Sequence, residues 1–505
     1  MENTPRRDAY DLVIIGSGIA GLVSAGMVAK TGKSVLVLEQ HDAPGGNAHH
    51  FKRGSYIFDP AVHLIGDETL FDSLLRHLGA RDAVRFLPID HFYRTVMPGF
   101  QLDVPIGRGP YVQAYVDRFP EHAEPLRRYF ELCARVHREA HDMPEKAGIV
   151  GLDALADSFP TLFRYHKANL AEVLDEHFTD ARVRAAVAAP CVWLGLPPSR
   201  VSFLTLAQLI FSHVDGVFVC EGGVQALVDA FVLGLQRNGG EIVLGKKVER
   251  ILLDGGRAVG VRLQDGTDVK GGLIMSNADA RQTYEKLVGF EHLPAQFVKN
   301  FLRLKHSLSA FVYFGATRLD LDALAAPHQI FSLTSWDHEE TFRRILRPEP
   351  AALFVTTPTR VDKGLAPAGE HLVVAVAAVP FDVSGTWKEI KPGFAKSMVE
   401  GIDGLFPGFS REITFEESAT PLTMERYSLT YKGAIYSWEQ SPQQVAVRRP
   451  AHRTPIPGLF LTGQWTSSGG GFLRATLSGL KTAQMYMTDT GLPDIIQDFR
   501  GRPPG

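Results

Sequence analysis

An α/β fold built on a Rossmann-type parallel sheet is predicted by three features of the sequence. The first is an aliphatic, β-branched run over residues 10–15, typical of a strand buried on both faces, which stops at the turn GSGIAG. The second is a segment of helical periodicity followed by another apolar strand, which ends in an acid. The third is a further strand, glycine turn and helix over residues 458–483. Strand, turn and helix in this order predict a dinucleotide-binding domain.

The N-terminal turn has glycines at the three positions where a dinucleotide requires them. Gly16 allows the tight turn, Gly18 lets the backbone approach the phosphates, and Gly21 lets the helix pack closely on the sheet. Ile19 and Ala20 begin that helix, whose free N–H groups and positive dipole end are offered to a pyrophosphate. We therefore expect these five residues to bind the cofactor.

The residues after the second strand favour FAD over NAD. Glu39 ends that strand, where its carboxylate is placed to accept hydrogen bonds from the adenosine ribose. The turn Gly45-Gly46 and the adjoining Asn47 follow soon after. NAD-dependent dehydrogenases do not need a glycine pair there, whereas in many flavoproteins this turn runs beside the pyrophosphate and the ribityl chain. FAD is the expected cofactor.

The C-terminal strand, turn and helix support the same choice. Gly463 and Gln464 follow the strand, and Gly471 and Phe472 lead into the helix, whose N-terminus is expected to face the flavin. Arg474 lies in the first turn of this helix. We consider two roles for it: a cation that stabilises a negatively charged reduced isoalloxazine, or a member of a surface salt bridge.

The predicted FAD-binding domain is discontinuous. A middle segment contains a helix and several strands, and backbone groups at Val248 are expected near the adenine. The domain is therefore assembled from residues 1–85, 220–282 and 425–505.

The two intervening stretches, residues 86–219 and 283–424, are predicted to form a substrate domain. The first is rich in helix-forming sequence and the second mixes strands with helices. We expect a mixed sheet with a helical cap that closes over the flavin. Some of the 31 phenylalanines of the chain are expected to line an apolar tunnel.

Composition limits the class of protein. A chain of 505 residues exceeds what a single core usually supports, and a net charge of -3 argues against nucleic acid as a partner. Cys133, Cys191 and Cys220 are widely spaced, which fits a reducing compartment and no disulfide framework. Neither a secretory signal nor a transmembrane span is predicted. The expected location is the cytoplasm; contact with a membrane surface and the oligomeric state are left open.

Together these motifs resemble the phytoene desaturase, carotenoid isomerase and retinol saturase family of FAD-dependent oxidoreductases. The resemblance covers nearly the whole chain and rests on VIIGSGIAGLVSA with Glu39, PGGNAHHF, FDPAVHLIG, EGGVQALVDAF, SNADA and GLFLTGQWTSSGGGFLRATLSG. It implies desaturation, saturation or cis–trans isomerisation of carbon–carbon bonds in a long apolar polyene such as a carotenoid or retinoid. Two departures concern the cofactor site: Gln464 stands where the family commonly has an acid, and Phe472-Leu473-Arg474 is bulkier than usual.

His63, at the end of FDPAVH, is the first candidate catalytic residue, and Arg474 is the second. The resemblance implies that the FDPAVH segment passes close to the isoalloxazine. The imidazole of His63 is expected either to hold a proton near the reacting double bond or to hydrogen-bond the backbone. No metal site is predicted, because the adjacent His49 and His50 rarely face one ion without further ligands.

Two other functions remain open at this point. A flavin-dependent amine or amino-acid oxidase would need an aromatic cage beside the flavin, for which Trp465 and Tyr436 are the candidates. A non-catalytic flavin-bearing lipid-binding protein is the third hypothesis. The fold by itself does not choose among them.

Overall fold

The computed structural model of the chain describes residues 4–146 and 156–495. Its strands are β1 (Ala9–Ile15), β2 (Val35–Leu38), β3 (Phe51–Arg53), β4 (Tyr56–Phe58), β5 (Ile65–Gly66), β6 (Phe86–Pro88), β7 (His91–Met97), β8 (Phe100–Pro105), β9 (Val217–Cys220), β10 (Glu241–Val243), β11 (Val248–Asp254), β12 (Arg257–Leu263), β13 (Asp268–Ser276), β14 (Ser309–Thr317), β15 (Gln329–Leu333), β16 (Ala352–Thr356), β17 (His371–Val379), β18 (Ile413–Ala419) and β19 (Leu459–Leu461). The main helices are Ile19–Ala29, Glu68–Leu78, Arg108–Arg118, Ala123–Lys146, Pro160–Tyr165, Leu170–His177, Ala181–Ala188, Phe203–Phe211, Gln225–Arg237, Ala295–Phe301, His338–Ile345, Trp387–Leu405, Pro421–Ser428 and Phe472–Asp489.

The first seven-stranded sheet holds the predicted dinucleotide motif. Strands β10, β2, β1, β13 and β19 are parallel, and β12 and β11 continue the sheet as an antiparallel meander. Strand β13 pairs with β12 along its first half and with β19 along its second half. The carboxyl ends of β1, β2, β13 and β19 therefore meet at one edge of the sheet, which is where ligands bind in open α/β folds.

Apolar helices cover this sheet. Every residue of β2 and of the helix Ile19–Ala29 is buried. That helix packs against Phe472–Asp489 and Gln225–Arg237 in one core that includes Leu22, Val228 and Leu480. Two of these helices begin at the carboxyl edge of the sheet, so packing fixes their N-termini there.

The second seven-stranded sheet has the order β18-β14-β17-β16-β15-β7-β8 and is antiparallel except for the β15–β7 pair. The helix Trp387–Leu405 packs on one of its faces. A helical cap, formed by helices between residues 108 and 211, shares a large core with strands β7, β15 and β16. The predicted α/β class, with a Rossmann-type sheet and a mixed sheet under a helical cap, is confirmed.

Two features cross the predicted domain boundaries, and the division itself stays a prediction. The small sheet β5-β9-β6 joins strands that the sequence analysis assigns to different domains. Tyr284, Leu287 and Phe301 were placed in the substrate domain, yet they belong to the core on the face of the first sheet. Among residues 4–146 and 156–495, no helix has the length and apolar character needed to cross a membrane.

Candidate functional site

A cavity of about 730 Å³ opens at the carboxyl edge of the first sheet and extends beneath the cap. It brings together the predicted site residues from all parts of the chain. Those that line it are Gly16, Gly18, Ile19, Ala20, Glu39, Gly45, Gly46, Asn47, His63, Val248, Gly463, Gln464, Gly471, Phe472 and Arg474. The remaining predicted residue, Gly21, lies outside the lining.

Gly21 has the packing role expected of the third glycine. A Cβ at this position would lie 2.5 Å from the carbonyl oxygen of Gly16 and 3.3 Å from the Cβ of Asn277. Contact at that distance is impossible for a carbon atom, so only glycine lets the helix begin this close to the strand.

Glu39 is held in place by the turn beside it. One carboxylate oxygen accepts hydrogen bonds from the backbone N–H of Ser17 at 2.8 Å and from its hydroxyl at 2.7 Å. The other accepts from the backbone N–H of His41 at 3.0 Å. Each oxygen has further acceptor capacity, so the carboxylate is oriented and still able to accept from a ribose hydroxyl. No motif in the sequence pointed to this role of Ser17.

Asn277 is a second residue that sequence reasoning missed. Its side chain lies between two glycine turns: a Cβ on Gly18 would meet its Nδ2 at 2.5 Å, and a Cβ on Gly463 would meet its Oδ1 at 2.9 Å. Asn277 follows β13, which lies between β1 and β19. It therefore fills the space behind both turns. The SNADA motif was a weak signal for it, because the motif alone does not show which side chain faces the turns.

The glycine cradle fits a dinucleotide. Gly45, with φ of 120°, pairs with Gly18 in an isolated bridge, and a Cβ on Gly46 would lie 3.2 Å from the Gly18 Cα. Two segments thus approach each other at backbone distance, beside the N-terminus of the helix Ile19–Ala29. Such a surface, with free N–H groups and no side chains, suits a pyrophosphate.

A second part of the cavity is apolar. It lies between the cap and the second sheet, and we call it the apolar part, in contrast to the polar part at the glycine turns. Its lining residues include Val192, Trp193, Leu209, Phe354, Val376 and Ala378. This surface suits a hydrocarbon chain rather than a polar substrate.

His63 lines the cavity and contacts Phe354 edge-on, with ring centroids 5.6 Å apart. Burial, together with the nearby His328, lowers the pKa of His63 to about 3. The Nε2 of His328 donates to the His63 carbonyl oxygen at 3.0 Å, while the His63 imidazole makes no hydrogen bond with any described residue. His63 is therefore neutral at physiological pH, and the expectation that it bonds the backbone through its ring is not met.

Arg474 also lines the cavity, and it forms no ion pair within the described residues. Its guanidinium donates instead to the amide oxygen of Gln208, on the cap helix Phe203–Phe211. Burial lowers the pKa of Arg474. The surface salt bridge that was one of its two expected roles is absent from the described part of the chain, because the side chain points into the interior.

Two acids accept hydrogen bonds from the backbone of the EGGVQ motif: Asp59 of the FDPAVH motif and the distant Asp362. The backbone N–H of Val224 donates to both carboxylate oxygens of Asp59, at 3.1 and 3.0 Å. The N–H of Gly222 donates to Asp362 at 2.7 Å. Burial, with a smaller contribution from the charge of Asp362, raises the pKa of Asp59 to about 7.

This raised pKa predicts a pH-dependent stability. Between the unfolded pKa of about 4 and the folded pKa of about 7, the folded state binds a proton that the unfolded state does not. The contribution of Asp59 to the free energy of unfolding is therefore fully present near pH 4 and is lost as the pH rises through about 7. Relative to Asp59→Asn, which keeps an acceptor for Val224, the wild type should lose about 2 to 3 kcal/mol between pH 5 and pH 8. Urea unfolding of both proteins at the two pH values measures this, and parallel curves would contradict it.

The two aromatic cage candidates lie in the same cavity and differ in their packing. Tyr436 and Trp465 both line the cavity, but Trp465 packs edge-on against Trp438, with centroids 4.8 Å apart. Nearby, the Nδ1 of His49 lies 2.6 Å from the carbonyl oxygen of Gly46, so this histidine is bound to the backbone of the turn.

Comparison with known proteins identifies relatives over almost the whole chain. A family model described as flavin containing amine oxidoreductase matches residues 19–485. The chloroplastic prolycopene isomerase of Arabidopsis thaliana is 26% identical, over 96% of this chain and 83% of that protein. The all-trans-retinol 13,14-reductase of Danio rerio is 26% identical, over 90% and 82%. The lycopene-forming phytoene desaturase of a Paracoccus strain is 26% identical, over 95% and 98%. The family resemblance predicted from the motifs is confirmed.

Solved structures agree on the fold. Putrescine oxidase bound to putrescine superimposes with a TM-score of 0.64 at 14% identity, over 95% of this chain and 99% of that one. The TM-score establishes that the two proteins share a fold. At 14% identity, the likeness gives no information about the substrate of this chain.

Proposed function

Because this chain belongs to the family of flavin containing amine oxidoreductases, we propose that it is an FAD-dependent enzyme that acts on carbon–carbon bonds of a long apolar polyene, such as a carotenoid or retinoid. The family makes it an oxidoreductase with a flavin cofactor. The proposal for the substrate is carried by the apolar part of the cavity, which continues directly from the glycine turns. The relatives named prolycopene isomerase, all-trans-retinol 13,14-reductase and phytoene desaturase support it.

The chain's own residues are assigned roles from their positions. We propose that Gly16, Gly18, Gly45 and Gly46 hold the pyrophosphate and that Glu39 accepts from the ribose. The N-terminus of the helix Phe472–Asp489 adds a positive dipole end to the same cavity.

The residues of the apolar part of the cavity surround the space where the substrate would react. When bound, FAD supplies the acceptance or return of a hydride. The apolar walls exclude water from the reacting bond and align it. Desaturation or saturation also moves one proton with each hydride, and we assign that proton to solvent at the open polar part of the cavity rather than to a strong acid or base of the protein.

His63 is then a wall residue rather than a proton donor. Its pKa of about 3 leaves no imidazolium at neutral pH. We expect His63→Gln to lower kcat by less than about 10-fold and to leave the pH profile between pH 5 and pH 8 unchanged. Steady-state rates across that range measure this. If kcat fell by more than about 100-fold and one of the two slopes of the kcat–pH profile disappeared, His63 would be shown to transfer a proton.

The function is tested by the absorbance of the bound flavin under anaerobic conditions. The FAD-loaded protein is mixed separately with polyenes and with amines. Bleaching by a polyene supports desaturation, and reoxidation of the pre-reduced protein by a polyene supports saturation. Isomerisation that requires added reductant, but consumes no net electrons, identifies an isomerase.

The same experiment separates the two alternatives. Bleaching by amines alone would overturn the polyene proposal in favour of an oxidase. Tight binding of apolar molecules without any change in flavin absorbance or in the bound molecule would indicate a non-catalytic lipid-binding protein.

A further inference from the structure

Arg474 is an interior cation whose one bonded partner in the described residues is a neutral amide. Its guanidinium lines the cavity and donates to Gln208. A guanidinium carries five N–H donors, so this bond leaves most of its donors for another partner. Interior charges in proteins are normally paired, because an isolated charge is costly to remove from water.

The surroundings of Arg474 add positive charge instead of balancing it. Arg474 stands in the first turn of the helix Phe472–Asp489, where the dipole is already positive and where acids are normally preferred; that turn has none. Arg449 is a second interior cation, and its Nη1 has no hydrogen-bond partner among the described residues. Burial and the charge of Arg474 lower the pKa of Arg449 to about 9. Each of these features favours an anion nearby.

The contact with Gln208 places this cation at the apolar part of the cavity. Leu209, Ser212 and His213 follow Gln208 on the same segment, and all three line the cavity. Burial lowers the pKa of His213 to about 4, so its ring is neutral. The acids among the described lining residues are Glu39, Glu249 and Asp279, and each lies in or just after a strand of the first sheet, not in the cap or the second sheet.

We propose that the substrate carries a carboxylate at one end of its apolar chain and that Arg474 binds this carboxylate. The inference rests on the proposed function, for which it specifies the substrate class: a polyene acid rather than a neutral hydrocarbon or alcohol. A planar guanidinium matches a carboxylate with two parallel hydrogen bonds. The chain of such a molecule would lie along Leu209, Trp193 and Phe354, while a neutral hydrocarbon would leave the cation unpaired.

The test compares matched acids and alcohols on the FAD-loaded protein. Retinoic acid and retinol share a polyene chain, and palmitate and hexadecanol share a saturated one. We expect the wild type to bind retinoic acid about 10- to 100-fold more tightly than retinol. Arg474→Met should bring this ratio close to one. Arg474→Lys, which keeps the charge but not the fork, should retain part of it and provides a second variant should the methionine protein fold poorly.

Arg108→Met is the control, because the side chain of Arg108 is partly exposed, pairs with Asp215 and does not line the cavity. This variant also removes one positive charge, but from the cap and outside the cavity. The ratio of retinoic acid affinity to retinol affinity should stay as in the wild type. Equal binding of acid and alcohol by the wild type, or a ratio that Arg474→Met does not alter, overturns the inference and leaves the polyene proposal standing. If Arg474→Met changes only the reduction potential of the flavin, the cation serves the cofactor and the inference is wrong. If palmitate alone binds, and Arg474→Met abolishes this, recognition of the carboxylate is upheld and the polyene proposal fails.

Discussion

Gly18→Val is expected to give a folded protein that carries almost no flavin. Gly18 has φ of -59° and ψ of 162°, values that any residue adopts, so the substitution introduces no backbone strain. The obstacle is space: even a Cβ would lie 2.5 Å from the Nδ2 of Asn277, and Gly46 already approaches the Gly18 Cα. The branched side chain would also project into the surface that we assign to the pyrophosphate. We expect FAD to bind at least about 100-fold more weakly, equivalent to about 2.7 kcal/mol.

The measurement is the flavin-to-protein ratio after purification, with FAD titration of the apoprotein and far-UV circular dichroism as a check of folding. Gly404→Val is the matched control, because Gly404 lies in the helix Trp387–Leu405 and a Cβ there meets no atom within 4 Å. It should keep the full complement of flavin. A yellow Gly18→Val protein with wild-type affinity would show that the cofactor does not pass over this turn.

The glycine turns could be predicted from sequence because their requirements are local. Gly16, Gly18 and Gly21 lie between one strand and one helix, and the spacing alone specifies what each must do. The role of Asn277 is not local. It depends on β13 lying between β1 and β19, which brings residues 16–21 and 463 to the same side chain. No pattern within the SNADA segment encodes that arrangement.

The charge states of the candidate catalytic residues could not be predicted from sequence either, because they depend on contacts between distant parts of the chain. His63 is neutral because the cap and the second sheet bury it beside His328. Arg474 is directed inward by Gln208, which is 266 residues away in the chain. Both side chains have an ordinary pKa in isolation, and only the packed surroundings change it. The predicted boundary at residue 282 separates Tyr284 and Phe301 from the first sheet, although both pack on it. No pattern in the sequence around them indicates which sheet they cover.

Gly479→Ala, at the crossing of two helices, is expected to destabilise the fold and to weaken flavin binding together. A Cβ on Gly479 would lie 2.5 Å from the carbonyl oxygen of Ala20 and 3.0 Å from its Cα. These are backbone atoms of the helix Ile19–Ala29, so no side chain can move aside and the helices themselves must separate. The hydroxyl of Ser24 donates to the Gly479 carbonyl at 2.9 Å, a bond that separation would also lengthen. Overpacking of this kind costs about 1 to 3 kcal/mol.

The same substitution should weaken flavin binding, which an ordinary core defect would not do. Both helices begin at the carboxyl edge of the first sheet, and Ile19, Ala20, Phe472 and Arg474 in their first turns line the cavity. Moving one helix away from the other therefore widens the site that both are proposed to form. Thermal unfolding of apoprotein and FAD-loaded protein separates the two effects, since the stabilisation added by FAD should shrink as its affinity falls. Gly393→Ala, in a helix where a Cβ meets no atom within 4 Å, is expected to be neutral or stabilising by about 0.4 to 1 kcal/mol. Wild-type stability and wild-type FAD affinity in Gly479→Ala would mean that the two helices do not approach each other at this glycine.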